Sequence, residues 1–469
     1  MMKRLHHPSI YTAFFALGTL FFSLLAACAS YQAKPLPAGP ALLKNIPHLV
    51  IERYRMPLSS LAGHPFNPDD GLDMTETAIL AVINNPELKV SRDERGIARA
   101  ELVSAGILPN PQLSLGLDHP TNDGPGLVNA WNAGISADIA ALVARNAGIA
   151  SARAEKRSTD LTILWQEWQV VQQARLLFIG IMEQVKLQKE LASYRELLND
   201  RYQRERHALN EGDTTVTEVS ADLAALRDSD ASMNELARKL QKNRDDLKAL
   251  LGLSPDTELV LNGSAVVEEV DQKQVDDDLA HLSERRPDLL ALRAGYEAQE
   301  ERLRKAVLAQ FPALSIGFTR ARDTSGIYTT GVGVTLSLPI FDRNQGAIAV
   351  EKATRERLYD EYQSRLNSSY SEVNSLYGQT VLLQKQYDDA KRDLPELEKT
   401  EKAAQEALTA GNLDIASYVD LRSALLKKRM DIISLEQSLF EERIALRTLL
   451  AAELPAQADS SPALEERSK

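Results

Sequence analysis

Asn85-Pro86-Glu87-Leu88 recurs 201 residues later as Arg286-Pro287-Asp288-Leu289. Pro111-Gln112-Leu113-Ser114-Leu115-Gly116 returns as Pro312-Ala313-Leu314-Ser315-Ile316-Gly317 at the same offset of 201. Arg145-Asn146-Ala147-Gly148 reappears as Arg343-Asn344-Gln345-Gly346 at 198, so the loop between has shortened by three residues. Ala208-Leu209-Asn210-Glu211-Gly212 reappears as Ala407-Leu408-Thr409-Ala410-Gly411 at 199. Four landmarks in one order and at nearly constant spacing make the chain two copies of one unit of about 200 residues.

Both copies have the same internal order. A helical stretch comes first, over 75–106 and 278–310. Two alternating segments follow. The first copy reads Leu113, Leu115, Leu117, then a loop rich in Pro, Asn, Asp and Gly, then Trp131, Ala133, Ile135, Ala137, Ile139. The second reads Leu314, Ile316, Phe318, a turn at Asp323-Thr324-Ser325-Gly326, then Val332, Val334, Leu336, Leu338. Period-two alternation predicts strands with one apolar face. Very long helices are predicted over 147–210 and 345–410, with return helices over 217–251 and 415–450.

Four strands cannot close a barrel, and open strand edges are not tolerated in lipid. One reading is a small sheet packed on the helices. The other is oligomerisation: three chains giving four strands each make twelve, an even number suited to an outer-membrane barrel. Trp131, Tyr328 and Phe341, near strand ends, are then candidates for interfacial girdles. Helices of about 65 residues at ~1.5 Å each reach on the order of 100 Å. Leu164, Trp168, Val171, Phe178, Met182 and Val185 follow three-four spacing, interrupted by Arg175, as in coiled-coil packing. Leu187, Leu191, Tyr194 and Leu198 continue a neighbouring seam. Pro395 removes a backbone donor and is expected to kink the second long helix.

The 469 residues carry a formal charge of -12, which makes nucleic acid an unexpected partner. Lys3 and Arg4 precede a short apolar run, 10–27, which reads as a secretory signal rather than a spanning helix. The only cysteine, Cys28, ends it in Leu25-Ala26-Ala27-Cys28, which is similar to the bacterial lipobox. Ala29 follows, where enteric lipoproteins kept in the inner membrane tend to carry aspartate; that points to the outer membrane. Removal of 1–27 takes the formal charge to -14 and leaves no second thiol for a disulfide. Pro35, Pro37 and Pro40 make 29–50 read as an extended tether. The expected organisation is a signal peptide at 1–27, a lipid-anchored tether at 28–70, a first repeat at 71–256, a linker at 257–277, a second repeat at 278–452 and a flexible tail at 453–469.

No nucleophile elbow, phosphate-binding glycine loop or HExxH motif occurs, so no enzyme activity, cofactor or metal site is expected. His48, His64, His119, His207 and His281 are scattered without ligand spacing, and the seven methionines form no cluster.

Asn84-Asn85-Pro86-Glu87-Leu88, Leu108-Pro109-Asn110-Pro111, Leu338-Pro339-Ile340-Phe341-Asp342 and Leu394-Pro395-Glu396, in this order within a duplicated helix-strand-strand-helix unit, resemble the TolC family of outer-membrane efflux proteins. The resemblance covers 70–452 and is nearest to the CzcC-like branch. It implies a mainly α homotrimer: a twelve-stranded outer-membrane β-barrel continued by a long α-helical periplasmic barrel. It also implies a periplasmic adaptor, an inner-membrane pump of the resistance-nodulation-division type for metal ions or drugs, and a passive exit duct in contact with outer-membrane lipid. Adaptor-contacting tips would lie at Gly212, Asp213 and Thr214 and at Gly411, Asn412 and Leu413. Two acidic positions that narrow the family's periplasmic end correspond to Ser417 and Asp420, so one acid is retained; Glu218 is the matching position in the first repeat. A duct for type I protein secretion would share this fold. A periplasmic adaptor would carry one hairpin flanked by many strands, and a structural coiled coil would need no alternating strands.

Cys28→Ser is expected to abolish labelling by radioactive palmitate while export continues; labelling that persists in the variant would remove the lipid anchor.

Overall fold

The computed structural model describes residues 31–50, 56, 58, 61, 63–121, 124–264, 266–269 and 271–454. The signal at 1–27, Cys28 and the tail beyond 454 lie outside the described residues. The chain divides into two compact units, 1–42 and 43–469. In the first, the described residues 31–42 are exposed and carry no helix or strand.

The second unit contains, in order, α1 (Met74–Asn84), α2 (Pro86–Gly106), β1 (Gln112–Asp118), β2 (Ala130–Asp138), α3 (Ile139–Glu211), α4 (Val216–Leu250), α5 (Gln272–Ala280), α6 (Leu282–Arg285), α7 (Pro287–Leu308), β3 (Ala313–Arg322), β4 (Tyr328–Ser337), α8 (Gln345–Thr409) and α9 (Ile415–Leu450). α3 has 73 residues, about 110 Å at ~1.5 Å per residue. It packs against α1, α2, α4, α7 and α9, while α8 packs against α7 and α9. Among the described residues no helix is long and apolar enough to cross a membrane.

Several expectations need revision. The long helix begins at Ile139 rather than near Ala147, so Ile139 is helical and not the last residue of a strand. Asp138 ends the strand by accepting the Ala141 N–H at 3.1 Å, a side-chain cap that starts the helix at once. The first helical stretch is broken at Asn85, between α1 and α2. The stretch expected over 278–310 is three helices, and α5 straddles the boundary placed at 277/278. The tether ends by residue 43: the Leu43 N–H donates to Gly252 O at 3.1 Å and its carbonyl accepts from Ser254 N at 2.8 Å. Leu58 and Leu61, further along the segment expected to be a tether, are fully buried.

The Asn-Asn-Pro motif makes the break at Asn85 useful. Asn85 Oδ1 accepts the Leu88 N–H at 2.9 Å and caps α2, where Pro86 fits the first turn. Its Nδ2 donates to Leu250 O at 3.0 Å, and Asn84 Nδ2 donates to Leu251 O at 2.5 Å. One motif therefore starts α2 and satisfies carbonyls at the end of α4, which would otherwise lack partners. Arg286 takes the corresponding place in the second repeat: its Nη1 donates to Leu449 O at 3.3 Å, at the end of α9. Gly252 follows α4 at φ 64°, where an added Cβ would lie 2.7 Å from Asn84 O; Ala451 follows α9 at φ 52°. Both helices thus end through a left-handed residue.

The main core gathers α1, α3, α4 and the segments around Leu58, Leu61 and Leu72. Trp168 is fully buried there, with its Nε1–H on Thr448 O at 3.1 Å, so the first repeat's long helix is tied to the second repeat's return helix. Val171 and Phe178 of the predicted seam are also buried, whereas Val185 is exposed. Arg175 interrupts that seam to pair with Glu453 at 2.7 Å.

Arg286 is fully buried, pairs with Asp288 at 2.7 Å and stacks over Trp165 at 4.9 Å. Asp288 also receives Arg365 at 2.9 Å. Removing the carboxylate strands a buried guanidinium, so Asp288→Ala is expected to destabilise the fold by about 3–5 kcal/mol. A urea titration followed by far-UV circular dichroism reads this as a lower midpoint; an unchanged midpoint would show that the buried charge finds other partners.

Candidate functional site

Two regions carry the residues to which the sequence points: the strands and the turns joining the long helices. The sheet is antiparallel in the order β1-β2-β3-β4, so its central pairing, β2 with β3, joins the two repeats. Its register aligns side chains of one kind. Leu113 faces Ile135, Ile135 faces Phe318 and Phe318 faces Val332; Ala137 faces Ile316, which faces Val334, and Leu314 faces Leu336. Residues of this parity form one face, since alternate side chains point the same way. The other parity is small or polar: Ser114, Gly116, Asn132, Gly134, Ser136, Ser315, Gly317, Thr319, Gly331, Gly333 and Thr335.

The apolar face is uncovered. Leu115 is 74% exposed, Val332 75% and Val334 66%. The alternative of a sheet packed on helices is therefore not what the chain forms. An exposed apolar surface of this extent marks a face made for another apolar phase or chain.

The rims differ from the middle. At the end of the sheet away from the helices, Leu117, Trp131, Arg322 and Tyr328 form one row across the four strands. Trp131 and Tyr328 meet edge to face at 6.4 Å, and the Arg322 guanidinium lies 5.6 Å from the Tyr328 ring centre. At the helix end, Phe311 and Phe341 are exposed. Arg320 and Arg322 break the apolar alternation and so carry no strand signal in the sequence, although they continue the parity of Leu314, Ile316 and Phe318.

The helix turns are built alike. In the first, Asp213 N–H donates to Ala208 O at 2.9 Å and Gly212 N–H to Leu209 O at 3.2 Å. In the second, Asn412 N–H donates to Ala407 O at 2.9 Å and Gly411 N–H to Leu408 O at 3.0 Å. This is the Schellman arrangement, and it needs the left-handed residue that Gly212 (φ 85°) and Gly411 (φ 76°) supply. Gly212, Asp213 and Thr214 form the first tip and Gly411, Asn412 and Leu413 the second; all are exposed but Thr214 and Leu413, which are half-buried.

The three candidate gate positions have distinct surroundings. Glu218 closes a capping box with Thr215, and its carboxylate accepts from the Thr214 hydroxyl at 2.7 Å and the Thr215 N–H at 2.9 Å. The Thr214 hydroxyl first, then the Thr215 N–H and hydroxyl, hold this carboxyl below its usual range. Ser417 donates both its hydroxyl, at 2.7 Å, and its N–H, at 2.8 Å, to Asp414, the cap of α9, and lowers that acid in turn. Asp420 pairs with Arg201 of α3 at 2.6 Å and is 68% exposed. Arg201 also contacts Asp222 of α4 at 2.9 Å. Arg201 and Asp222 were not singled out in the sequence, because their meeting with Asp420 requires three helices from both repeats. Among the described residues no three His, Cys, Asp or Glu side chains gather to hold a metal ion.

Residues 279–452 match the family model described as outer membrane efflux protein. No curated protein sequence matches the chain. Among solved structures, the Campylobacter jejuni CmeC outer membrane channel superposes with a TM-score of 0.67 at 14% identity, covering 92% of this chain and 96% of that one. CusC, whose structures concern folding and transmembrane channel formation, gives 0.65 at 16% identity over 90% of this chain and 99% of that one. The Vibrio cholerae outer membrane protein VceC gives 0.64 at 16% identity, over 80% and 95% respectively. Residues 279–452 are thus similar to the outer membrane efflux protein model, and the two repeats together have the fold of solved outer-membrane channels.

Proposed function

We propose that the chain is the passive exit duct of a tripartite efflux system in the outer membrane. Three copies close a twelve-stranded barrel, and their long helices continue it through the periplasm. A periplasmic adaptor docks on the two tips, Gly212–Asp213–Thr214 and Gly411–Asn412–Leu413. An inner-membrane pump of the resistance-nodulation-division type, exporting metal ions or drugs, drives the flow, and acylated Cys28 holds the chain to lipid. The observation that carries the barrel is the aligned apolar face on an open four-stranded sheet. That face suits hydrocarbon, the small polar face suits water, and closure supplies the edge strands with partners. The likeness in fold to channels that form in membranes supports the same reading.

Val332→Arg and Thr335→Arg test the two faces. In a barrel Val332 meets lipid near the middle of the strand, where arginine costs about 2–4 kcal/mol, while a lumen position accepts charge. Val332→Arg is expected to lose detergent-stable trimer, a species about three times the mass of one chain. Thr335→Arg is expected to keep that trimer and change its ion selectivity in planar bilayers. Equal tolerance of both variants, or a clean monomer for the wild type, would remove the barrel.

Asp420 is the residue we assign to the periplasmic constriction. With Arg201 and Asp222 it forms a cluster of net charge -1 in each copy, and threefold symmetry brings three such clusters to one axis. Asp420→Asn neutralises the cluster. It should lower cation selectivity and weaken block by multivalent cations from the periplasmic side. The difference should be larger at 0.1 M salt, where the Debye length is ~10 Å, than at 1 M, where it is ~3 Å. Single-channel recordings that are unchanged at low salt would make Asp420 an ordinary surface charge.

A further inference from the structure

The apolar face of the sheet ends in two arginines. Arg320 stands in the row Leu115, Ala133, Arg320, Thr330, and Arg322 in the next row outward, Leu117, Trp131, Arg322, Tyr328. Both share the parity of Phe318 and Ile316, so both belong to the apolar face. The two positions are two residues apart on β3, about 6–7 Å along a strand.

Their electrostatic setting is unusual for this chain. Arginines on the helices are widely paired: Arg92 with Glu167, Arg195 with Asp230, Arg201 with Asp420, Arg422 with Glu401. Among the described residues Arg320 and Arg322 have no ion pair, and Arg322 Nε is buried without a hydrogen-bond acceptor. The acid next in sequence, Asp323, is occupied: its Oδ1 accepts the N–H groups of Ser325 and Ile327, each at 2.9 Å. Tyr328 holds the Arg322 guanidinium against the strand by its ring face. Arg322 is thus held at the border of an apolar surface, with Arg320 exposed two residues away, beside Trp131 and Tyr328, the residue types that settle at the headgroup level of a bilayer.

We propose that Arg320 and Arg322 bind the phosphate groups of lipids in the outer leaflet, a reading that rests on the barrel proposed above. The turn end of the sheet lies opposite the helices, so in the barrel it faces outward. Arginine stems lie along apolar surface while the heads reach the interface. Guanidinium groups there meet phosphate oxygens in bidentate geometry, with acyl chains continuing down over Phe318, Val332 and Leu115. Charge and hydropathy on this face therefore match one molecule with an anionic head and an apolar tail. Three copies would set six arginines around the rim.

The test uses purified full-length protein in detergent, titrated with diphosphoryl lipid A and with the same lipid after dephosphorylation. Each basic residue at a lipid surface contributes about fivefold, so the wild type should prefer the phosphorylated lipid by about 25-fold. The preference should shrink as salt rises. Arg320→Gln with Arg322→Gln should lose it, and Arg320→Lys with Arg322→Lys should keep most of it. A wild type that binds both lipids equally overturns the proposal without any variant. So does a glutamine pair that keeps the preference. The same preparations are added to planar bilayers of zwitterionic phosphatidylcholine. Conductance there with no phosphate preference sinks this site and leaves the duct intact; a wild type that neither inserts nor conducts sinks both.

Discussion

β1 and β4 are the outer strands of the sheet, and each has one row of backbone N–H and C=O groups without a ladder partner in the same chain. In water such an edge is tolerable, and in hydrocarbon each unmet group costs several kcal/mol. The apolar face makes water a poor environment for this sheet, and the edges make lipid a poor one for a single copy. Both demands are met together when β4 of one copy pairs with β1 of the next in a ring. That contact is heterologous, joining two different surfaces, and it ends only when the ring closes. Closure into a barrel and the joining of the helices into a tunnel both follow in the proposed duct from this one requirement.

The duplication shows how one mechanical task can be solved with two chemistries. At the root of each hairpin, the return helix ends against the start of a helix in the same repeat. The first repeat uses amide side chains, Asn84 and Asn85, and a glycine, Gly252, that lets the backbones come close. The second uses Arg286, whose longer reach meets Leu449 O and whose charge then requires Asp288 and the Trp165 face. Buried charge is costly, and the second repeat carries that cost at a place where the first has neutral groups. Residues 279–452, which match the family model, include Arg286, Asp288 and Leu449 of this charged root; the first repeat lies outside the match and shares the run of strand pair, long helix and return helix.

Much of the architecture was legible because it is written locally. Alternation fixed the four strands, and the Gly212 and Gly411 segments marked the turns, since a Schellman ending needs a left-handed residue at a definite place. Boundaries governed by side-chain caps were less legible: nothing in the spacing of apolar residues says that Asp138 starts a helix, and Ile139 fits the strand pattern equally well. The docking of Leu43 on Gly252 was hidden because a single parallel bridge has no periodicity. Proline-rich segments look alike whether free or laid on a surface. The Arg201, Asp222 and Asp420 cluster was hidden for a different reason: the three residues come from two repeats and lie up to 219 positions apart. The sequence could propose Asp420 by resemblance but could not supply its partner.

The interactions that hold the two hairpins together change in kind along their length. Near the root, Trp168, Val171, Leu247 and Arg286 are fully buried, and separating the helices there would expose a core. Toward the tips charge joins the apolar contact: Arg201 meets an Asp420 that is largely exposed, while Leu198 and Val419 beside them stay buried. Exposed ion pairs contribute about 0–1 kcal/mol, whereas burying one large apolar side chain contributes about 1.5–3 kcal/mol. Local opening follows the weakest links, so in the proposed duct the exposed pairs near the tips would give way before the roots do. The Schellman turns and caps keep each tip folded while this happens, because their hydrogen bonds lie within one hairpin and none crosses to the other. In the proposed duct a mouth made this way would widen by parting hairpins that each remain intact, with the root as the fixed end.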